Sequence, residues 1–172
     1  HLVELTALQE AVRHLLDGHL RRGDLGEPRI VLVAADERTD HTVTDSPDAD
    51  HPVVVRVHRA HNTPGVLPAI VSIHGGGYVV GSYDMDDGVF DRLCPMLECV
   101  GVSVEYRLAP ETPYPGPLED CYRALRWVFA HADELGIRSD RIGIGGLSAG
   151  GGLAAALALA ARDRGELAVA FQ

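Results

Sequence analysis

Arg141-Ile-Gly-Ile-Gly-Gly-Leu-Ser-Ala-Gly-Gly-Gly152 begins as a β-rich apolar run, breaks into glycines around one serine, and resumes as the alanine-rich stretch Leu153 to Ala161. That order reads as strand, sharp turn and helix, with Ser148 presented at the turn. Gly146-Leu147-Ser148-Ala149-Gly150 fits G-x-S-x-G, whose glycines permit a strained turn that exposes the serine Oγ and lets neighbouring backbone approach closely. A glycine-rich turn at a helix N-terminus also suits a phosphate. Dinucleotide spacing from Gly143 and Gly145 would put the last glycine of G-x-G-x-x-G on Ser148, and no acidic residue ends a second strand at the expected distance. A P-loop needs a lysine, and the chain has none. On this stretch alone, a nucleophile and a packing turn both stand as readings.

The 172 residues amount to one domain, able to bury about 68 to 70% of the unfolded surface. The sequence opens at His1 without a methionine and stops after the strand-like run Leu167 to Phe171, which reads as a piece of a longer protein. With 46% hydrophobic and 23% charged residues, the composition is that of a globular chain, and no run approaches transmembrane length, so no stable membrane insertion is expected. A net charge of -10 with 15 scattered arginines argues against nucleic acid and against an anionic membrane surface. Cys94, Cys99 and Cys121 form no C-x-x-C pair and are odd in number, so they read as buried reduced thiols rather than a zinc site or disulfide framework. No cofactor or metal is expected. No signal-peptide pattern opens the chain, and the cytoplasm is the default compartment.

From Val3 to Leu20, apolar residues at Leu5, Leu8, Val12, Leu15 and Leu16 share one helical face. A strand is expected near Ile30 to Ala34 or Arg38 to Val43, then the acidic turn Thr44 to Pro52, then a firmer strand at Val53 to His58. The turn lacks the glycine and terminal glutamate of a calcium loop and reads as solvated, as do His58 and His61. Pro68 to His74 is a continuous apolar run, expected of a strand covered on both faces, and ends in Gly75-Gly76-Gly77, which leaves bare backbone N–H groups at a strand's carboxyl end. Such ends are where open α/β sheets bind ligands. A helix is expected over Asp84 to Glu98 through Val89, Phe90, Leu93 and Leu97, then a strand at Val100 to Tyr106. Leu108 to Pro117 carries four prolines and reads as a rigid loop. A helix over Leu118 to His131, with Cys121, Ala124, Leu125 and Val128 as its stripe, leads to the serine strand. Strands alternating with helices argue an α/β architecture with parallel pairing and right-handed crossovers.

Three stretches act together: His74-Gly-Gly-Gly-Tyr78, then Tyr106-Arg-Leu-Ala-Pro-Glu111 followed by Tyr114-Pro-Gly-Pro-Leu-Glu-Asp120, then Gly146-Leu-Ser-Ala-Gly-Gly151. Their order and spacing resemble the hormone-sensitive-lipase family of α/β-hydrolases from about Arg38 to Gln172, with residues 1–37 matching that family's amino-terminal helical cap only in general character. The resemblance implies a mostly parallel sheet with helices on both faces, truncated after the nucleophile helix. It implies a serine carboxylesterase acting on short to medium acyl esters. Ser148 would be the nucleophile, with the N–H groups of Gly76, Gly77 and Ala149 as oxyanion hole. His74 and Gly75 would shape that loop without acting as base, and a buried arginine and glutamate in the Tyr106 to Glu111 segment would be scaffolding. Glu119 and Asp120 read as a helix start.

Leu147 stands where the family usually has aspartate. In this fold the triad runs Ser, then Asp or Glu, then His, yet no histidine occurs among the 24 residues after Ser148. Asp163 and Glu166 lie at the far end of the helix, about 22 Å from its start. The expectation is a parent esterase whose acid and base lie beyond Gln172, and a fragment that is inactive and prone to association through an uncovered sheet edge. The alternative is a non-catalytic protein that keeps the pocket for a small ligand.

Overall fold

Valine and isoleucine dominate Val53–Ala60, Leu67–Ile73 and Val100–Glu105, and β-branched side chains fit a pleated surface covered on its faces. In the computed structural model, which describes residues 36–43, 51–61 and 63–172, these runs are strands β2, β3 and β4. With β1 (Asp36–Val43) and β5 (Ile137–Gly146) they form a five-stranded sheet in the order β1-β2-β4-β3-β5. β1 and β2, and β2 and β4, are antiparallel; β3 runs parallel to both β4 and β5. The parallel half carries the serine. The expected helix over Val3 to Leu20, the alternative strand near Ile30 to Ala34, the acidic turn through residue 50 and most of the 1–37 segment lie outside the described residues.

Helices α1 (Asp87–Leu97), α2 (Gly116–Ala130) and α3 (Ala149–Arg164) cover both faces of the sheet. Phe90 and Cys94 of α1 pack with Ala60, Ile70 and Cys99 on one side. On the other, Cys121, Ala124, Leu125 and Val128 of α2 and Leu153 and Leu157 of α3 meet Val55, Val71, Ile73, Val102 and Val104. Every residue of the stripe read for α2 is fully buried, and the three cysteines are free and buried.

Three local expectations need correcting. The helix expected from Asp84 starts as a 3₁₀ turn, Tyr83–Asp86, and becomes α-helical only at Asp87. Val89 then faces out at 49% exposure, because a helix that buries Phe90 and Cys94 turns its neighbour away. Second, α2 begins at Gly116, so Pro117, read as loop, sits in the helix's first turn, where its missing N–H costs nothing. Third, the strand expected at Leu167 to Phe171 is reduced to one parallel bridge between Gly143 and Phe171. Its ladder consists of Ile144 N–H to Phe171 O at 3.0 Å and Ala170 N–H to Ile142 O at 2.8 Å.

His58 and His61 also part company. His61 is exposed and lies 3.5 Å from Glu37. His58, read as solvated, is fully buried in β2: its Nε2 is 2.9 Å from Ser103 Oγ and its ring packs 4.8 Å from that of Phe90. Burial lowers its pKa to about 4, against the opposing pull of Asp87. Between pH 6.5 and about 4 the unfolded chain takes up a proton that the folded chain resists, so stability falls as pH drops through that window. The full loss is on the order of 3 kcal/mol. Urea midpoints at pH 7 and pH 4.5 should therefore drop further for the wild type than for His58→Gln, and equal drops would contradict this assignment.

Candidate active site

The serine turn is shaped by contact with the end of β3. A Cβ on Gly150 would sit 1.9 Å from Ile73 O and 2.5 Å from His74 O, and one on Gly146 would sit 2.4 Å from Gly150 backbone and 2.7 Å from Ile73 O. Only glycine lets β5, the turn and the start of α3 cross β3 at this distance. Ser148, between them, takes φ 55 and ψ −118, a positive-φ conformation costing a non-glycine residue roughly 1–3 kcal/mol, held by the surrounding packing. Gly150 N–H donates to Leu147 O at 2.9 Å and Gly152 N–H to Ser148 O at 3.2 Å, which closes the turn. Ser148 is exposed, at the amino end of α3.

The glycine loop lies against this turn. A Cβ on Gly75 would be 2.9 Å from Leu147 O and 3.6 Å from Ser148 Cβ, so the loop and the serine are in direct contact. The Gly76 carbonyl accepts the N–H groups of Val79 at 3.2 Å and Val80 at 3.1 Å, curling the loop back on itself. Among the described residues, the N–H groups of Gly76, Gly77 and Ala149 meet no backbone carbonyl. Unmatched amide donors near an exposed hydroxyl suit an anionic oxygen forming beside it.

His74 points away from this chemistry. It is 1% exposed, its Nδ1 donates to Gly75 O at 2.7 Å, and its ring stacks on Tyr106 at 4.2 Å. Tyr106 O–H donates to His74 O at 3.0 Å, which ties the loop's first residue to the end of β4. The arginine of the Tyr106 to Glu111 segment is scaffolding, and it is held by an acid outside that segment. Arg107 binds Asp120 through Nε and Nη2, both at 2.8 Å, and through its backbone N–H at 3.0 Å. Asp120 is completely buried, while Glu111 is exposed. The Asp120 carboxylate, in the first turns of α2, thus holds the chain leaving β4; its separation of 13 residues from Arg107 hid the pairing in the sequence.

Tyr78, which follows the glycines, has φ 68, and its carbonyl accepts Ala109 N–H at 2.8 Å. Its hydroxyl lies 2.7 Å from where a Cβ on Gly152 would sit, so the ring overhangs the start of α3. Tyr78, Val79, Val80 and Leu147 are all exposed, at 42 to 75%. Asp163 and Glu166 are occupied at the other end of α3, Asp163 by Arg162 at 2.7 Å and Glu166 by the Tyr122 hydroxyl at 2.7 Å. Among the described residues no cluster of His, Cys, Asp or Glu could hold a metal ion, and no helix is long and apolar enough to cross a membrane.

A family described as alpha/beta hydrolase fold matches residues 70–172, more than half of the chain and the whole of the region just described. This chain belongs to the α/β-hydrolase fold family. It is 40% identical over 123 residues to Esterase LipI of Mycobacterium tuberculosis, a match covering 70% of this chain and 38% of that protein. It is 44% identical over 94 residues to an arylesterase of Saccharolobus solfataricus, covering 55% of this chain and 31% of the relative. Among solved structures, a bacterial heroin esterase superposes with a TM-score of 0.77 at 39% identity, covering 99% of this chain and 49% of the other. The likeness to hormone-sensitive-lipase-type esterases drawn from the motifs therefore holds. The chain spans about 31 to 49% of the length of these relatives.

Proposed function

We propose that the protein is a serine carboxylesterase for short to medium acyl esters, with Ser148 as its nucleophile. The observation that carries this reading is the strained, exposed Ser148 in contact with a glycine loop whose N–H groups are unmatched among the described residues. In this reading Ser148 Oγ attacks the ester carbonyl, and the N–H groups of Gly76, Gly77 and Ala149 bind the oxygen as it becomes anionic. Each such donor is worth roughly 10²–10³ in rate. Collapse of the tetrahedral intermediate expels the alcohol and leaves an acyl-serine, which water then hydrolyses.

The proton on Ser148 must go to a base. His74 is turned away into its Gly75 and Tyr106 contacts, and residues 149–172 contain no histidine. The base and its orienting carboxylate would lie in the part of the whole protein that these residues do not span, so the 172 residues alone should turn over no ester. Leu147, 75% exposed in place of the family's usual aspartate, adds to the apolar rim formed by Tyr78, Val79 and Val80, which suits an ester's hydrocarbon parts.

An acyl-enzyme makes one quantitative demand on the whole protein. With methanol present, p-nitrophenyl butyrate and phenyl butyrate should give the same ratio of methyl butyrate to butyric acid, because both pass through one acyl-serine. A ratio that changes with the leaving group would rule out the acyl-enzyme. Ligand binding with no hydrolysis at all would favour a non-catalytic pocket.

A further inference from the structure

Arg56, on β2, is remote from Ser148 in sequence yet sits at the hub of a polar cluster behind the glycine loop. Its Nε and Nη2 hold both oxygens of Asp40 on β1, at 2.7 and 3.0 Å. Its Nη1 reaches both oxygens of Asp87, the first residue of α1, at 3.2 and 3.1 Å. The guanidinium also lies 4.3 Å over the Tyr83 ring, and Nη2 donates to the Tyr83 hydroxyl at 3.1 Å. That hydroxyl donates in turn to Asp40 at 3.1 Å, and Tyr83 N–H donates to Glu105 at the end of β4 at 2.7 Å. One planar fork therefore joins two strands to the 3₁₀ turn and helix that follow the loop, which a lysine's single ammonium cannot do.

The contacts continue from Tyr83 to the serine. Two residues earlier, Gly81 has φ 112 and no room for a side chain, since a Cβ there would sit 2.6 Å from His74 Nδ1 and 2.8 Å from Gly75 O. Gly75 in turn rests on Leu147 and Ser148. Backbone in van der Waals contact on both sides cannot absorb a shift, so the seat of Tyr83 sets the position of Gly75.

We infer that Arg56 is a positioning residue for the reaction: through Tyr83 and Gly81 it holds the glycine loop at the distance from Ser148 that oxyanion binding needs. This rests on the carboxylesterase reading. The ordering of the cluster agrees with its electrostatics, since the hydrogen bond from Arg56 holds the Asp40 carboxyl below its usual pKa.

The test uses the whole protein and steady-state hydrolysis of p-nitrophenyl butyrate. Arg56→Met should lower kcat about ten- to hundredfold while KM moves less than about twofold, because a loop displaced by a fraction of an ångström weakens the transition state more than the bound ester. Arg56→Lys should fall between Arg56→Met and the wild type. Tyr83→Phe, a milder change that keeps the ring and removes its hydroxyl bonds, should lower kcat several-fold with unchanged far-UV circular dichroism, and it serves if Arg56→Met fails to fold. A lower melting temperature with kcat unchanged in Arg56→Lys and Tyr83→Phe would overturn the inference and leave Arg56 a structural anchor; so would a rise in KM alone. Retained hydrolysis in Ser148→Ala would instead sink Ser148 as the nucleophile, and no hydrolysis by the wild-type whole protein would sink the carboxylesterase reading, so these failures are distinguishable from that of Arg56.

Discussion

Ser148→Ala in the whole protein is expected to lower kcat/KM for p-nitrophenyl butyrate by about 10⁴- to 10⁶-fold, the scale on which removal of a serine nucleophile acts. The loss should come with almost no change in stability. Ser148 is exposed and its side chain caps nothing at the start of α3, so the substitution should move the urea midpoint by no more than about 0.5 kcal/mol of unfolding free energy. Residual activity should trace to the N–H groups of Gly76, Gly77 and Ala149, which the substitution leaves in place. A variant within tenfold of the wild type would show that another group attacks the ester.

Gly150→Ala should be as damaging for a different reason. The added methyl would lie 1.9 Å from Ile73 O and 2.5 Å from His74 O, and both obstacles are backbone at the end of a buried strand. Neither can move without dragging β3 or lifting α3, so the cost is about 3 kcal/mol or more, and the Ser148 turn is displaced as well. Gly145→Ala is the control, because a Cβ at Gly145 meets nothing within 4 Å. Denaturation followed by circular dichroism should separate the two variants clearly. Equal stabilities would mean that α3 does not cross β3 at the distance described.

The contrast between these glycines shows what the sequence could and could not disclose. Gly146 and Gly150 were legible because G-x-S-x-G places them on either side of a serine between a strand-like run and a helix-like run, and that local pattern specifies a sharp turn. The α2 stripe of Cys121, Ala124, Leu125 and Val128 was legible for the same reason, since helical periodicity acts within a few residues. Gly81 carried no such signal. Its constraint comes from His74 and Gly75, met only when the loop folds back.

Charged pairs were harder still. Arg107 binds Asp120, thirteen residues on and read from the sequence only as part of a helix start, while Glu111, read as buried, is exposed. Arg56, Asp40, Tyr83 and Asp87 converge from separate elements, and no one-dimensional spacing joins them. His58 reads as solvated together with His61, whereas the alternation of β2 turns it toward Phe90 under α1. Val89 and Phe90 were both plausible core positions, and only the docking angle of α1 separates them.

Intact mass before and after a fluorophosphonate probe, followed by peptide mapping, is the most direct test of Ser148 as the nucleophile. The whole protein should gain a single adduct on Ser148, lost in Ser148→Ala, while the 18.4 kDa chain of 172 residues on its own stays unmodified for want of a base. A whole protein that hydrolyses esters but takes the probe on a residue other than Ser148 would contradict it.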